Sequence, residues 1–196
     1  VEDAQNVTVT LTDGTTTVTK TVAVSNNAWA LSGSDRADIS GLNNGAITVT
    51  ANVSDAHGNT ATAATRTITL DNVVPTITID GTLEGDNYVN SGEEGDIIIS
   101  GTSAGLAAGT TIAVKVSGTS GTDVTKNATT NLDGTWSIEM GTVDGLADGT
   151  LTITANGSDA AGNAAVQASK TVTYDDVAPV IAIDGTLEGD DKVSSS

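Results

Sequence analysis

The chain repeats its own sequence at an interval of 104 residues. The segment 71–91 (DNVVPTITIDGTLEGDNYVNS) returns at 175–195 as DDVAPVIAIDGTLEGDDKVSS. The same interval separates three further pairs of residues: Pro75 and Pro179, Gly41 and Gly145, and Gly58 and Gly162. A long repeat at a fixed spacing indicates tandem copies of one domain. The sequence therefore predicts slightly less than two domains, each large enough to bury a core.

The local pattern has a period of two residues throughout. Apolar residues alternate with Thr at 7–11, 47–50, 77–79 and 151–154, which is typical of strands with one buried and one solvated face. Asp-Gly, Asn-Gly and Gly-Asn pairs separate these stretches, and such pairs form tight turns. Short strands with a turn every eight to twelve residues predict an all-β fold of immunoglobulin-like two-sheet sandwiches in tandem.

We predict a complete repeat at 75–178, with a long acidic loop at 81–95. Its strands are expected at 76–80, 96–101, 111–117, 122–130, 135–140, 149–157 and 164–174. The alternating pattern around Trp136 places that side chain in the core, and Trp29 falls at the same place in the first copy. Because aromatic residues are almost absent, Val, Ile, Leu and Ala must form the rest of the core, with about one Trp in each domain.

The other two copies are expected to be partial. Aligning Val7 and Val9 with Ile112 and Val114 starts the first repeat, 1–74, near its third strand. Residues 179–196 supply the first strand and the acidic loop of a third repeat. An open sandwich exposes unpaired backbone and core. We therefore expect residues outside this sequence, or a neighbouring chain, to supply the two missing strands.

The charge of the chain excludes several partners. There are 25 acidic and 7 basic residues, which gives a formal net charge of −18. Nucleic acids and anionic membrane surfaces attract Lys and Arg, so neither is expected to bind here.

The chain has no Cys, and its longest apolar runs are only a few residues, so neither a disulfide nor direct insertion into a membrane is expected.

Acidic residues cluster at the junction between repeats and in the loop that follows. Seven carboxylates lie within 71–96, which contains no Lys or Arg. Clustered carboxylate and amide oxygens, with Gly for the bends, are what Ca²⁺ requires, whereas softer metals prefer Cys or His. The sequence therefore predicts Ca²⁺ at the junctions, at Asp71 and Asn72 and at Asp175 and Asp176, and in the loop after the first strand.

The turn between the last two strands is a third candidate for ligands. It reads Asp55-Ala-His-Gly-Asn59 in the first repeat and Asp159-Ala-Ala-Gly-Asn163 in the second. In an immunoglobulin-type sandwich this turn lies at the end where the chain enters the domain. Asp159 and Asn163 are therefore expected near Asp71. Asp and Asn also stabilise ordinary turns, so both interpretations stay open.

No catalytic set is evident, and the chain is not expected to be an enzyme. His57, the only His, is replaced by Ala161 in the other copy, and no nucleophile or phosphate-binding motif accompanies it. Thr-rich strands raise the possibility of an ice-binding face, but Thr is also the ordinary residue of a solvated sheet face. An alternative function is a module that binds carbohydrate or protein through loops at one pole of the sandwich.

Several of these segments resemble a known family. LDGTWSIEM, GLADGTLTITANGSDAAGN and TVTYDDVAP are similar to the bacterial Ig-like extender repeats of giant surface adhesins, which include repeats-in-toxin and biofilm-associated proteins. The resemblance covers 75–178 and both partial copies. It implies a spacer that Ca²⁺ stiffens at domain junctions, and that projects a distal adhesive domain for attachment or biofilm formation.

The resemblance also implies a location, partners and ligands. Such proteins leave bacteria by type I secretion and lie outside the cell, at its surface. Neighbouring repeats of the same chain are the expected partners, and the target of the full-length adhesin is not expected to bind this segment. Two positions depart from the repeated pattern. Asn72 occupies in the first junction the position that Asp176 occupies in the second, which lowers the negative charge there. Ser194 occupies in the third copy the position of Asn90, which weakens the site in that copy. By position, the implied Ca²⁺ ligands are Asp71, Asn72, Asp80, Asp86, Asn87, Glu93, Asp159, Asn163, Asp175, Asp176, Asp184, Asp190 and Asp191.

Overall fold

The computed structural model describes residues 5–183 and divides them into two compact units. The first unit comprises residues 5–75 together with Asp159–Ala164. The second comprises Thr76–Ser158 together with residues 165–183. Within the described residues, all regular structure is strand apart from one 3₁₀ turn, Gly33–Asp35, so the predicted all-β fold is confirmed. None of the described residues forms a helix of the length and hydropathy needed to cross a bilayer.

The first unit contains one antiparallel sheet. Its four strands are β1 (Asn6–Thr12), β2 (Thr17–Ala23), β3 (Gly45–Asn52) and β4 (Ala64–Leu70). Their order in the sheet is β2-β1-β3-β4. Alternation sends the side chains of Val7, Val9 and Ile47 to the buried face, where they are at most 2 % exposed. Thr side chains occupy the opposite face, because neighbouring positions of a strand point to opposite sides of the sheet.

The second unit is a sandwich of two sheets. Its strands are β5 (Thr76–Ile77), β6 (Tyr88–Asn90), β7 (Ile98–Ala104), β8 (Thr111–Ser117), β9 (Val124–Thr129), β10 (Thr135–Glu139), β11 (Gly149–Asn156) and β12 (Ala168–Asp175). One sheet has the order β10-β7-β5, and the other has the order β6-β12-β11-β8-β9. Apolar side chains from both sheets form one core, which includes Ile99 and Trp136 on one side and Val114 and Leu151 on the other.

The two Trp side chains differ in burial, contrary to the expectation of one core Trp in each domain. Trp136 is 1 % exposed, and its indole Nε1 donates a hydrogen bond to the carbonyl oxygen of Thr102 at 3.3 Å. Trp29 is 38 % exposed. Trp136 lies on β10 and packs between two sheets, whereas Trp29 lies outside the regular strands of a unit that has a single described sheet.

The observed strands differ from the predicted ones mainly around the acidic loop. The loop contains a short strand, β6, which pairs in parallel with β12, and the sequence pattern did not reveal it. The strand predicted at 96–101 lies at Ile98–Ala104, and the strand predicted to start at 164 begins at Ala168. The third strand of the complete repeat, Thr111–Ser117, has the predicted bounds.

Candidate functional site: the acidic loop and the repeat junctions

The acidic loop (81–95) starts where the ladder between β5 and β7 ends. The backbone N–H of Asp80 donates to the carbonyl of Ser100 at 2.9 Å, which continues the ladder beyond the last residue of β5. The Ser100 hydroxyl donates to Oδ2 of Asp80. Asp80, a predicted ligand, therefore lies at the end of a strand with one carboxylate oxygen used to fix that end.

The first half of the loop is a tight turn closed by its own side chains. Glu84 and Asn87 have positive φ angles of 49° and 67°, a conformation in which Asn is favoured among non-Gly residues. Oδ1 of Asn87 accepts from the N–H of Leu83 at 3.0 Å, and Oδ1 of Asp86 accepts from the N–H of Tyr88 at 2.9 Å. Asp86 and Asn87 thus shape the loop.

The second half of the loop is closed in the same way. Oε2 of Glu93 accepts from the backbone N–H of Asn90 at 3.1 Å and from its side-chain amide at 2.7 Å. Oδ1 of Asn90 accepts from the N–H of Gly92 at 2.8 Å. The predicted ligand Glu93 therefore directs one oxygen into the loop.

Tyr174 joins the acidic loop to the end of the second repeat. Its hydroxyl donates to Oε2 of Glu94, and Oδ2 of Asp176 lies 3.1 Å from the same hydroxyl oxygen. The side chain is 1 % exposed. Burial, reinforced by the two carboxylates, raises the pKa of Tyr174 well above its usual range, so that the hydroxyl keeps its proton. Glu94 of the loop and Asp176 of the junction therefore meet at one buried group.

Each repeat ends with the same arrangement of hydrogen bonds. In the first repeat, Oδ1 of Asp71 accepts from the N–H of Val73 at 3.0 Å, and Oδ1 of Asn44 accepts from the N–H of Asn72 at 3.1 Å. The second repeat reproduces both bonds 104 residues later. There Asp175 accepts from the N–H of Val177 at 3.1 Å, and Asp148 accepts from the N–H of Asp176 at 3.2 Å.

The two hairpin turns hold their Asp side chains closely. Oδ1 of Asp159 accepts from the N–H groups of Ala161 and Asn163, and its Oδ2 accepts from the Asn163 amide at 2.9 Å. Asp55 and Asn59 form the same bonds in the first repeat. The amide of the Asn residue, followed by the turn N–H groups, lowers the pKa of both Asp55 and Asp159. These hydrogen bonds show that all four residues stabilise the turns in which they lie.

One contact brings the hairpin and a junction together, as the sequence predicted. Within the first compact unit, which includes Asp159–Ala164, the Asn163 amide donates to the backbone carbonyl of Asp71 at 3.1 Å. This bond uses the backbone oxygen of Asp71. The Asp71 carboxylate instead accepts from the N–H of Val73. Asp71 and Asn163 are thus neighbours through a neutral hydrogen bond.

The predicted ligands do not gather into a cluster of charged side chains. Among residues 5–183, no group of three or more His, Cys, Asp or Glu side chains is arranged to hold a metal. Any Ca²⁺ site built from these residues needs amide and carbonyl oxygens or water in addition to carboxylates. Asp184, Asp190 and Asp191 lie outside the described residues. Glu94 is one of the seven carboxylates counted in the sequence, but it is not among the ligands implied by position. The contact of Tyr174 with Glu94 was not predicted, and its position two residues before Asp176 is the signal that points to Tyr174.

Comparison with known proteins decides the family. The sequence profile of a family described as bacterial Ig-like domain matches residues 78–176. The chain belongs to this family. The matched range contains the acidic loop, and it ends at Asp176, in the second junction. The resemblance found in the sequence is therefore confirmed, and the sandwich of the second unit is a bacterial Ig-like domain.

Solved structures of adhesion proteins are similar to this bacterial Ig-like chain. A tetra-tandem repeat in the extending region of a large adhesion protein is 28 % identical, with 89 % of this chain and 43 % of that chain covered and a TM-score of 0.48. A Ca²⁺-stabilised adhesin that helps an Antarctic bacterium to reach out and bind ice is 30 % identical, with coverages of 88 % and 41 % and a TM-score of 0.45.

A single domain is also similar. The bacterial immunoglobulin-like domain from the M. primoryensis ice-binding adhesin is 29 % identical, with 52 % of this chain and 98 % of that chain covered and a TM-score of 0.38. The chain spans about two fifths of the length of the two longer structures described above. No curated protein sequence matches the chain.

Proposed function

We propose that this chain is a structural spacer of a bacterial surface adhesin, and that Ca²⁺ at its junctions and acidic loops stiffens it. In this role it holds a distal adhesive domain away from the cell for attachment or biofilm formation. It lies outside the cell, type I secretion exports it, and its partners are the neighbouring repeats. The tetra-tandem repeat described above lies in the extending region of its own protein. For this chain, the spacer role is proposed from its repeated sequence, its family and its acidic charge.

The observation that carries the proposal is the recurrence of two hydrogen bonds at the ends of both repeats. The bonds that hold Asp71 and Asn72 recur at Asp175 and Asp176, one period later. A domain whose task was to bind a ligand at its surface would need one good site. A spacer needs its repeats to end alike, and the recurrence of these two hydrogen bonds supports that role.

The donor atoms at these positions fit Ca²⁺ better than other metals. They are carboxylate, amide and backbone oxygens, which hard cations prefer, and they lie on loops that accommodate irregular coordination. At the first junction Asp71 and Asn72 would supply ligands, and in the acidic loop Asp80, Asp86, Asn87 and Glu93 would supply others, with carbonyl oxygens completing each set. Bound Ca²⁺ also removes the repulsion among carboxylates of a chain whose net charge is −18.

Small-angle scattering of the whole chain tests the spacer role. With Ca²⁺, the proposal predicts a larger maximum dimension and a narrower distribution of distances than with EDTA, because the ion orders the segments between domains. Mg²⁺ at the same concentration is the control, since it requires stricter geometry and fewer protein ligands. Identical scattering curves in Ca²⁺ and EDTA would remove the cation from the proposed function.

A further inference from the structure

A lysine of the last strand holds the start of the acidic loop. Lys170 lies on β12, and its ammonium group donates to the backbone carbonyls of Asp80 and Gly81 at 2.9 and 2.5 Å. Hydrogen bonds from a charged donor are stronger than neutral ones. Because the segment 71–96 has no Lys or Arg of its own, Lys170 brings a positive charge to the beginning of this loop.

The middle and the end of the loop are held by the same strand. The N–H of Thr173 donates to the carbonyl of Asn87 at 3.0 Å, and β6 continues this contact as a parallel pair with β12. At the end of the loop, the buried hydroxyl of Tyr174 donates to the Glu94 carboxylate. Three positions of one strand therefore contact the start, middle and end of the loop.

We infer that Lys170 and Tyr174 are positioning residues, which fix the two ends of the acidic loop on β12. Lys170 acts as a cation built into the chain: its ammonium is held by two carbonyl oxygens, the kind of ligand that a hard metal ion also uses. The loop consequently has its shape before any ion binds. This inference rests on the proposed function only in treating the loop as the place where Ca²⁺ acts.

The first repeat supplies natural substitutions for both positions. Arg66 stands one period before Lys170, and Leu70 stands one period before Tyr174. Arg keeps the positive charge and several donors, so Lys170→Arg is the conservative variant. Leu removes the hydroxyl altogether. We choose Tyr174→Phe for the test, because it removes the hydroxyl while the ring still fills the core.

Hydrogen exchange of the full chain in EDTA, followed by mass spectrometry, tests the inference. Lys170→Met is expected to raise the exchange rates of amides at 82–90 about tenfold, as loss of a hydrogen bond to a charged group would in a local opening. Lys170→Arg is expected to keep the wild-type rates there. Tyr174→Phe is expected to accelerate exchange at 92–96, and exchange of Thr111–Ser117 on β8 stays unchanged in all variants.

Lys115→Met is the matched control, because it also removes a lysine from the second repeat but contacts Asp123 instead of the loop. The inference is overturned if Lys170→Met leaves the loop unchanged, if Lys115→Met has the same effect, or if exchange rises uniformly over the unit. Adding Ca²⁺ separates the two proposals. Recovery of loop protection in Lys170→Met supports the proposed function, whereas its absence contradicts Ca²⁺ binding and leaves the EDTA result standing.

Discussion

The two repeats form the same four strands but bury them to different extents. The order β2-β1-β3-β4 in the first unit corresponds to β9-β8-β11-β12 in the second. Ile68 on β4 is 36 % exposed, whereas Val172, one period later on β12, is 4 % exposed. The second unit covers this sheet with β5, β7 and β10. The comparison shows that alternation specifies a sheet with a partly buried face, whereas the fuller burial at Val172 accompanies an opposing sheet.

The largest expected effect distinguishes the two Trp positions. Trp136→Ala should lower the free energy of unfolding by about 3–5 kcal/mol, because it removes a large, fully buried side chain. Trp29→Ala should cost less, since the energy of burial scales with the area removed from water and Trp29 is 38 % exposed. Denaturant unfolding followed by circular dichroism measures both. Equal losses would contradict the difference in packing between the two repeats.

A smaller effect should be confined to the second repeat. A Cβ at Gly101 would lie 1.9 Å from the Thr78 carbonyl oxygen and 2.6 Å from the Trp136 ring. Gly101→Ala is therefore expected to cost about 1–3 kcal/mol or more through overpacking. Gly81→Ala is the control, because its Cβ would meet nothing within 4 Å. Calorimetry should show a lower melting temperature for the second unit alone. A lower melting temperature for both units would contradict separate cores.

Acid should weaken the first repeat through Asp13. Its carboxylate accepts hydrogen bonds from Asn43, Thr15 and Thr16, and the bond from the Asn43 N–H, followed by those from the turn, lowers the pKa of Asp13 well below its usual range. Because the folded pKa is depressed, this stabilisation is present above the unfolded pKa of about 3.9 and is lost as the pH falls below it.

Melting temperatures between about pH 6 and pH 2 test this effect. The wild-type first unit should lose more stability over this range than Asp13→Asn, which cannot change its charge. The second repeat has Gly118 at the corresponding position and therefore no equivalent carboxylate. The melting temperature of the second unit should be the same in Asp13→Asn and in the wild type at each pH. A parallel pH profile for the variant and the wild type would contradict the role given to Asp13.

The smallest effect is expected on the outward faces of the two sheets. Lys115 pairs with Asp123 at 2.9 Å, and both side chains are nearly half exposed, whereas Thr10 occupies the corresponding position of the first repeat. Lys115→Thr should change the free energy of unfolding by less than about 1 kcal/mol, and the difference should vanish in about 1 M salt. A larger effect that persists in high salt would show that the pair is not a simple surface ion pair.

The sequence was sufficient for the strands with regular alternation and insufficient for the loop. Thr111–Ser117 was predicted with its observed bounds, because large apolar side chains stand at every second position from Ile112 to Val116. β6 was missed, since it has three residues and its partner, β12, lies about 85 positions later. The contact between Glu94 and Tyr174 joins residues 80 positions apart, and local patterns do not report such contacts.

The candidate ligands were predicted by type, whereas their arrangement was not. Asp159 and Asn163 were expected near Asp71, and the Asn163 amide does contact its carbonyl. Asp86 and Glu93 instead direct an oxygen to neighbouring N–H groups, as Asp and Asn commonly do in turns. Sequence spacing alone does not distinguish an oxygen that caps a turn from one that faces an ion, because both occur in the same Gly-rich loops.

Differential scanning calorimetry of the whole chain in Ca²⁺ and in EDTA tests the central claim most directly. An ion that binds only the folded state adds about 2.7 kcal/mol when its concentration is 100 times Kd. We therefore expect a melting temperature higher by on the order of 10 °C in Ca²⁺, since about 1 kcal/mol shifts a 100-residue domain by several degrees. Asp71→Asn combined with Asp175→Asn should reduce this gain. Equal melting temperatures in Ca²⁺ and EDTA would contradict a spacer that Ca²⁺ stabilises.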